Sequence, residues 1–291
     1  MHRTLRLGVP LAIGGLAILS TRPSFPLTSP TSTSNNSASP PAPEHSPNLA
    51  RWTSKWLKSE TRWHQTNFHH TLVKHSHRLP KEGTVLIPLC GKTVDILYFQ
   101  NREVIAVDGV KKALQEFTSE NASSFPTPFP PFSTSPLSNP SFETTTSTSL
   151  KNSPISLFRG DFFHLKTPVT TVWDRASIVA LHPSLRPLYV ETLKKCVEPN
   201  GVILMSTFYR KSGTPSALAA GPPWSVSPSD VIELFSKEDW VVDKIDEIDV
   251  MRDELYKDSR ERWRSAGLDE LRECVFLIRR KGGRKWWEVW K

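Results

Sequence analysis

The chain has little cysteine, no glycine-rich phosphate motif and no apolar run long enough to span a bilayer. Its three cysteines, Cys90, Cys196 and Cys274, are odd in number, far apart and in no Cys-x-x-Cys pair. Neither a disulfide framework nor a zinc site is therefore indicated, and reduced surroundings are expected. No Gly-x-Gly-x-x-Gly run occurs, which argues against a dinucleotide whose pyrophosphate needs several close backbone approaches. No internal repeat is visible. Hydrophobic residues make up only 37% of the chain, while prolines number 25. Both deviations trace to two Ser/Thr/Pro-rich segments, 21–47 and about 119–154, the second holding Pro126, Pro128, Pro130, Pro131, Pro136 and Pro140. Neither can bury enough apolar surface to offset its ordering entropy, so both are expected not to fold. What remains, about 200 residues over 48–281, is enough for one well-cored domain.

Positive charge is in excess, with a formal net charge of +8, but it sits at the ends. Arg3, Arg6 and Arg22 stand against Glu44 in the first 50 residues, and six Lys or Arg stand against Glu288 over 279–291. The part between is near neutral, which argues against a basic nucleic-acid face. The basic, Trp-rich tail over 282–291 reads as a solvated tail. At the other end, Arg3 and Arg6 precede the apolar stretch Leu7–Leu19, broken by Pro10, Gly14 and Gly15. That length suits a signal-peptide core, and the acid-poor, hydroxyl-rich stretch after it resembles a transit peptide. Residues 1–47 are thus expected to be a targeting leader and linker. The destination would be an organelle (plastid or mitochondrion) or the secretory pathway, or the cytoplasm if the leader is not used. Membrane contact is expected only through an uncleaved leader.

What the chain does contain is an alternation of strands and helices. Thr84–Leu89 and Val104–Asp108 are apolar, strand-like runs, and Ile155–Phe158, Thr171–Asp174 and Val202–Phe208 follow. Late strands are predicted at about 241–249 and 273–280. Helical spacing of apolar residues predicts helices over about 49–77, 93–101, 111–118, 186–197 and 228–236. Such alternation predicts a mostly parallel sheet covered on both faces. Ligands in that architecture bind beyond the carboxyl ends of the strands. Pro88-Leu89-Cys90-Gly91, Asp108, Asp161 and Asp174-Arg175 all fall there. One glycine in the first turn suffices for a nucleoside cofactor without phosphate. With Asp108 placed for ribose hydroxyls and Asp161-Phe162 beside an adenine, the set points to S-adenosylmethionine.

Other residues carry competing readings. Trp52, Trp56 and Trp63 form an aromatic cluster; packing is favoured for Trp56. For Trp52 and Trp63 a lid over a sulfonium cofactor weighs evenly with packing. His64 and His182 are candidate bases without a visible partner. Arg175 either makes a structural ion pair with Asp174 or enters a substrate pocket to stabilise an anionic nucleophile. Cys90 reads as packing rather than as a nucleophile.

The stretch from about Leu49 to Arg280 resembles the thiopurine S-methyltransferase family. The resemblance rests on Trp52-x-x-x-Trp56 with Trp63-His64-Gln65, Pro88-Leu89-Cys90-Gly91-Lys92, Val107-Asp108-Gly109, Gly160-Asp161-Phe162-Phe163 and Trp173-Asp174-Arg175-Ala176. Gly221-Pro222-Pro223-Trp224 and Trp263-x-x-x-Gly267-Leu268 complete it. It implies a Rossmann-like class I methyltransferase fold, α/β, with a mostly parallel seven-stranded sheet and helices on both faces. It implies S-adenosyl-L-methionine bound by Trp52, Trp63, Leu89, Gly91, Asp108, Asp161, Phe162 and Arg175. Trp63, Arg175, Pro223 and Trp224 would meet a small-molecule thiol, with Arg175 as the catalytic residue, no metal needed, and a monomer expected. Trp63 and Trp224 stand where Phe is usual, and Asp108 where Glu is more frequent. Two alternatives stay open: methylation of halide, hydrosulfide or small thiols, and a non-catalytic S-adenosylmethionine-binding protein.

Overall fold

The computed structural model describes residues 47–134, 141–235 and 239–282. The expected leader and nearly all of the basic tail lie outside the described residues. Val85–Pro88 (β1) and Val104–Asp108 (β2) are buried at every position. They pair in parallel from Val85↔Val104 to Pro88↔Val107. Continuous burial of β-branched residues is what central parallel strands require, since both faces are covered.

The remaining strands are β3 (Ser133–Thr134), β4 (Phe142–Thr148), β5 (Pro154–Gly160), β6 (Val169–Arg175), β7 (Val197–Gly213), β8 (Trp240–Asp249) and β9 (Leu268–Arg280). Their order in the sheet is β3-β4-β5-β2-β1-β6-β7-β9-β8. The centre, β5-β2-β1-β6-β7, is parallel, and both edges are antiparallel. Because β1 lies between β2 and β6, the chain switches direction of travel across the sheet there, which opens a crevice at the strand ends.

The helices are α1 (Pro47–Leu57), α2 (His70–His75), α3 (Asp95–Tyr98), α4 (Lys111–Glu120), α5 (Ser177–Ala180), α6 (Arg186–Cys196), α7 (Pro215–Ala219), α8 (Pro228–Phe235) and α9 (Lys257–Ser265). Alternate strand residues face opposite sides. Leu86, Ile105, Val172 and Ile203 meet Tyr189, Leu193 and Phe235 of α6 and α8. Val85, Val104, Trp173 and Leu204 meet Leu72, Ile96, Leu114 and Phe117 of α2, α3 and α4.

The structure departs from the sequence reading in four places. Among the described residues the sheet has nine strands rather than seven, because part of the segment expected not to fold, 119–154, builds β3 and β4. β4 pairs with β5 from Phe142↔Gly160 to Thr148↔Pro154. Its threonines suit a pleated edge, and Phe142 is buried where Gly160 has no side chain to obstruct it: a Cβ there would lie 2.3 Å from Phe142 Cδ1. Phe125 and Phe129, at 4.6 Å between ring centroids, pack the preceding loop near Phe117. Residues 135–140 of that segment lie outside the described residues. The helix expected over 49–77 is broken after α1, where Ser59 takes a positive φ of 57°. The helix expected over 93–101 shortens to α3. Strands β7 and β9 extend well beyond the sheet centre, paired with one another out to Gly213↔Leu268.

Candidate active site

The carboxyl ends of β1, β2, β5 and β6 open on one cavity of about 1060 Å³. Its base is a set of interlocked turns. Leu89 and Ala176, just past β1 and at the end of β6, both have positive φ, 45° and 62°, a conformation costly for residues with a Cβ. Hydrogen bonds hold them there. Cys90 N donates to Val107 O at 2.9 Å, and Ser177 Oγ donates to Pro88 O at 2.7 Å. The buried Asp174 accepts from Ser177 N at 3.1 Å and from Tyr189 Oη at 2.8 Å. Gly91 is needed for its own reason: its φ is +55°, and a Cβ would lie 3.0 Å from Trp56 Cζ2.

Asp108 joins this turn to its own strand. Its Oδ2 accepts from Gly91 N and its Oδ1 from Val110 N, both at 2.7 Å. Burial pushes its carboxyl up to about 6, against the pull of those two N–H donors. Each oxygen keeps a second lone pair, so the carboxylate can accept further donors from the cavity it lines. Asp161 lines the cavity too, accepting from Phe163 N at 3.0 Å, and Phe162 packs on Tyr189 at 5.1 Å between ring centroids.

The aromatic wall comes from α1 and the turn after it. Trp52 and Trp63 meet edge to face at 5.0 Å, and Trp56 meets Trp63 at 6.0 Å. Trp52 Nε1 donates to Ala180 O at 3.3 Å. Trp56 is buried beside Val110 and Ala113, as packing requires. Arg175 donates through Nη2 to Trp63 O at 3.0 Å, while its buried Nε has no hydrogen-bond partner among the described residues. The Arg175–Asp174 ion pair weighed from the sequence is absent among the described residues: Asp174 is spent on Ser177 and Tyr189, and the guanidinium is directed to the cavity wall.

Of the residues singled out in the sequence, Trp52, Trp63, Leu89, Gly91, Asp108, Asp161, Phe162, Arg175 and Pro223 line this one cavity. Trp224 is not among the lining residues, although Pro223 and Ser225 beside it are. Its backbone N donates to Val179 O at 2.7 Å, and its indole lies over Gly221, where a Cβ would be 2.2 Å from Trp224 Cδ2. Its ring also meets His182, at 5.3 Å. His64 lines the cavity, with its imidazole pushed down chiefly by burial. His182 stays outside, 2.8 Å from Ser184 Oγ. Cys90 is buried, and burial followed by the Asp108 carboxylate pushes its thiol well up, so it packs rather than reacts.

Sequence reasoning missed Tyr256, Arg262, Phe208 and Arg210, which complete the lining. Tyr256 caps the start of the charged helix α9 and Arg262 lies in its last turn. Trp263, matched only through the resemblance, was the one signal there, and it lies 5.9 Å from Tyr256. Phe208 and Arg210 sit on the extension of β7. S-Adenosylmethionine fits these residues on four counts. Gly91 permits close backbone approach, Asp108 has spare acceptor capacity, two Trp rings form a wall, and the buried Arg175 Nε lacks a partner.

Comparison with known proteins agrees with this geometry. The family described as thiopurine S-methyltransferase (TPMT) matches residues 47–281. A thiopurine S-methyltransferase of Xanthomonas axonopodis pv. citri is 31% identical over 238 residues, covering 79% of this chain and 98% of its own. One from Legionella pneumophila is 26% identical over 240 residues, covering 79% and 96%. Among solved structures, the 1,6-didemethyltoxoflavin-N1-methyltransferase of Burkholderia thailandensis was determined with 1,6-didemethyltoxoflavin and S-adenosylhomocysteine bound. It matches with a TM-score of 0.51 at 16% identity, over 80% of this chain and 87% of its own. That likeness is one of fold.

Proposed function

The chain belongs to the thiopurine S-methyltransferase family, and from that premise we propose that it methylates the sulfur of aromatic or heterocyclic thiols. It is an S-adenosylmethionine-dependent methyltransferase. The cofactor supplies an electrophilic methyl group on a sulfonium centre. The protein's residues then have three tasks: to bind, to align and to exclude water.

Asp108 accepts the ribose hydroxyls with the lone pairs that Gly91 and Val110 leave free. Trp52 and Trp63 offer aromatic surface to the sulfonium, which gains from the ring quadrupole. The observation that carries the thiol reading is Arg175, whose buried Nε has no partner and whose guanidinium lines the same cavity as the aromatic wall. An approaching thiolate is the anion such a group favours. Thiols are appreciably ionised near neutral pH, so no strong base is demanded. The cavity, at about 1060 Å³, lies at the upper end of the roughly 300–1,000 Å³ usual for small-molecule sites. It leaves room for a ring beside the cofactor, and Phe208, Tyr256 and Trp263 offer that ring flat apolar contact. A site built for iodide or hydrosulfide gains nothing from such a wall.

The acceptor preference is read directly from initial rates on 6-mercaptopurine, thiophenol, hydrosulfide and iodide at saturating cofactor. The aromatic thiols are expected to exceed the two small anions by at least about tenfold in kcat/KM, since one ring-sized apolar contact contributes roughly 1.5–3 kcal/mol. Iodide or hydrosulfide as the preferred acceptor would replace this reading with the small-anion one.

Cofactor affinity should depend on pH through Asp108. In the unfolded chain this carboxyl titrates near 3.8, and in the fold near 6. A raised carboxyl disfavours the folded state above about pH 6, and that cost fades as pH falls toward about 4. Hydroxyl donors act in the opposite sense, because they favour the ionised form. S-Adenosylmethionine is therefore expected to bind more weakly as pH falls through about 6, approaching tenfold per pH unit below it. Asp174 is also pushed up by burial, to about 6, but it lies behind the lining and affects stability rather than binding. Calorimetric titration between about pH 7.5 and pH 5 measures this; a flat Kd would remove Asp108 from ribose recognition.

A further inference from the structure

We propose that His69, His70 and Glu273 form a binding site for a divalent transition-metal ion, with zinc as the best match. The site is separate from methyl transfer and does not rest on the acceptor assigned above. The sequence offers no pointer to it: cysteine spacing speaks only to thiolate sites, and the two segments involved lie at opposite ends of the domain.

Glu273 sits within β9, opposite Phe208 of β7 and Ile248 of β8, and its side chain is fully buried. A carboxylate inside a sheet must find partners, and its two oxygens are arranged alike. Oε1 accepts from Ser206 Oγ at 2.5 Å, and Oε2 accepts from Tyr256 Oη. Each oxygen then has one lone pair left, and each faces a histidine nitrogen. His69 Nε2 is 3.6 Å from Oε1, and His70 Nε2 is 3.1 Å from Oε2.

Both nitrogens are buried, and among the described residues their contacts are ion-pair approaches to Glu273 rather than hydrogen bonds of acceptable geometry. His69 itself is only 1% exposed. Its other nitrogen, Nδ1, lies 2.8 Å from Thr71 Oγ1. Donation from Nδ1–H to that hydroxyl leaves Nε2 with a lone pair aimed into the cluster. Its backbone is fixed as well, since His69 N donates to Asp95 Oδ1 at 2.8 Å and Asp95 Oδ2 accepts from Trp173 Nε1 at 2.9 Å.

These are the parts of a zinc site. Two ligand atoms each about 2.0–2.1 Å from a tetrahedral ion stand roughly 3.3 Å apart, and each histidine nitrogen stands near that spacing from one carboxylate oxygen, His69 from Oε1 and His70 from Oε2. The three ligand atoms all lie within 4.8 Å of one another, and an ion between them would draw the side chains together. Two imidazoles and a carboxylate are a known zinc donor set. Hydroxyls on the carboxylate and a hydroxyl on the far imidazole nitrogen are the outer partners that orient such ligands. The ion would tie the start of α2 to β9 directly behind Tyr256. The connection that ends at His69 carries Trp63 and His64, so the ion would brace one wall of the cavity without lining it.

The test uses the full chain, purified without a polyhistidine tag, stripped with a chelator and titrated with zinc chloride or cobalt chloride. One zinc per chain is expected, with a raised unfolding midpoint and, for cobalt, the intense visible absorption of a four-coordinate ion. His70→Ala, at a half-buried position that tolerates truncation, and Glu273→Gln should each weaken zinc binding at least tenfold, while exposed His77→Ala should not. Absence of stoichiometric zinc binding by the unmodified chain would overturn the proposal, as would binding that His70→Ala and Glu273→Gln leave unchanged.

Discussion

Replacing Asp108 by Ala is expected to weaken S-adenosylmethionine binding by about 10²–10⁴-fold, because each of two hydrogen bonds to a charged acceptor contributes about 1.5–3 kcal/mol. Two ribose hydroxyls would lose that acceptor. The effect does not stop at the ligand. Gly91 N and Val110 N both donate to this carboxylate, so its removal strands two buried donors and slackens the turn that approaches the cofactor. Stability should change less than binding. The carboxylate is itself disfavoured by burial, which pushes it up to about 6, and losing it partly offsets the stranded N–H groups. Calorimetric Kd values, with thermal unfolding as a control, separate the two. A Kd within threefold of the parent protein would show that the hydroxyls are held elsewhere.

The second large effect concerns Arg175. Arg175→Met keeps the apolar stem and removes the charge, and kcat for an aromatic thiol is expected to fall about 10²-fold, the scale of losing one preorganised donor. The cofactor Kd should move less, since the Trp walls and Asp108 remain. Without the cation the bound thiol ionises less readily, so the rate of the variant should recover as pH rises. Arg175→Lys should fall between the two: a point charge replaces the fork, and the bond to Trp63 O loses its geometry. A kcat for Arg175→Met equal to that of the parent, at every pH, would exclude this guanidinium from the reaction and leave it a brace for the Trp63 turn.

How far the sequence disclosed this arrangement depends on how local each signal is. β1 and β2 were legible because strands covered on both faces read as unbroken apolar runs, and Gly91 and Asp108 follow from their ends, as Asp161 and Arg175 follow from the ends of β5 and β6. β4 was not legible. Phe142–Thr148 carries little apolar surface, and its stability comes from hydrogen bonds offered by the edge of β5, a partner that no composition shows. Tyr256 and Arg262 were missed for a related reason. Helix α9 is rich in charge, and only its placement over the extended β7–β9 pair turns these side chains inward. The seat of Trp224 was not legible either: its indole packs over Gly221, a contact that only the folded loop creates. The cluster of His69, His70 and Glu273 joins residues that only the folded sheet brings together.

Methyl transfer to sulfur is the reaction proposed for this site. It is tested most directly by giving the enzyme S-adenosylmethionine labelled with carbon-13 in the methyl group, with 6-mercaptopurine as acceptor, and reading the product by NMR. This acceptor carries both sulfur and ring nitrogens, so one spectrum distinguishes the two outcomes. A single product is expected, with the labelled carbon at the chemical shift of a thioether methyl. A methyl resonance on ring nitrogen, or no labelled product with the cofactor demonstrably bound, would contradict it.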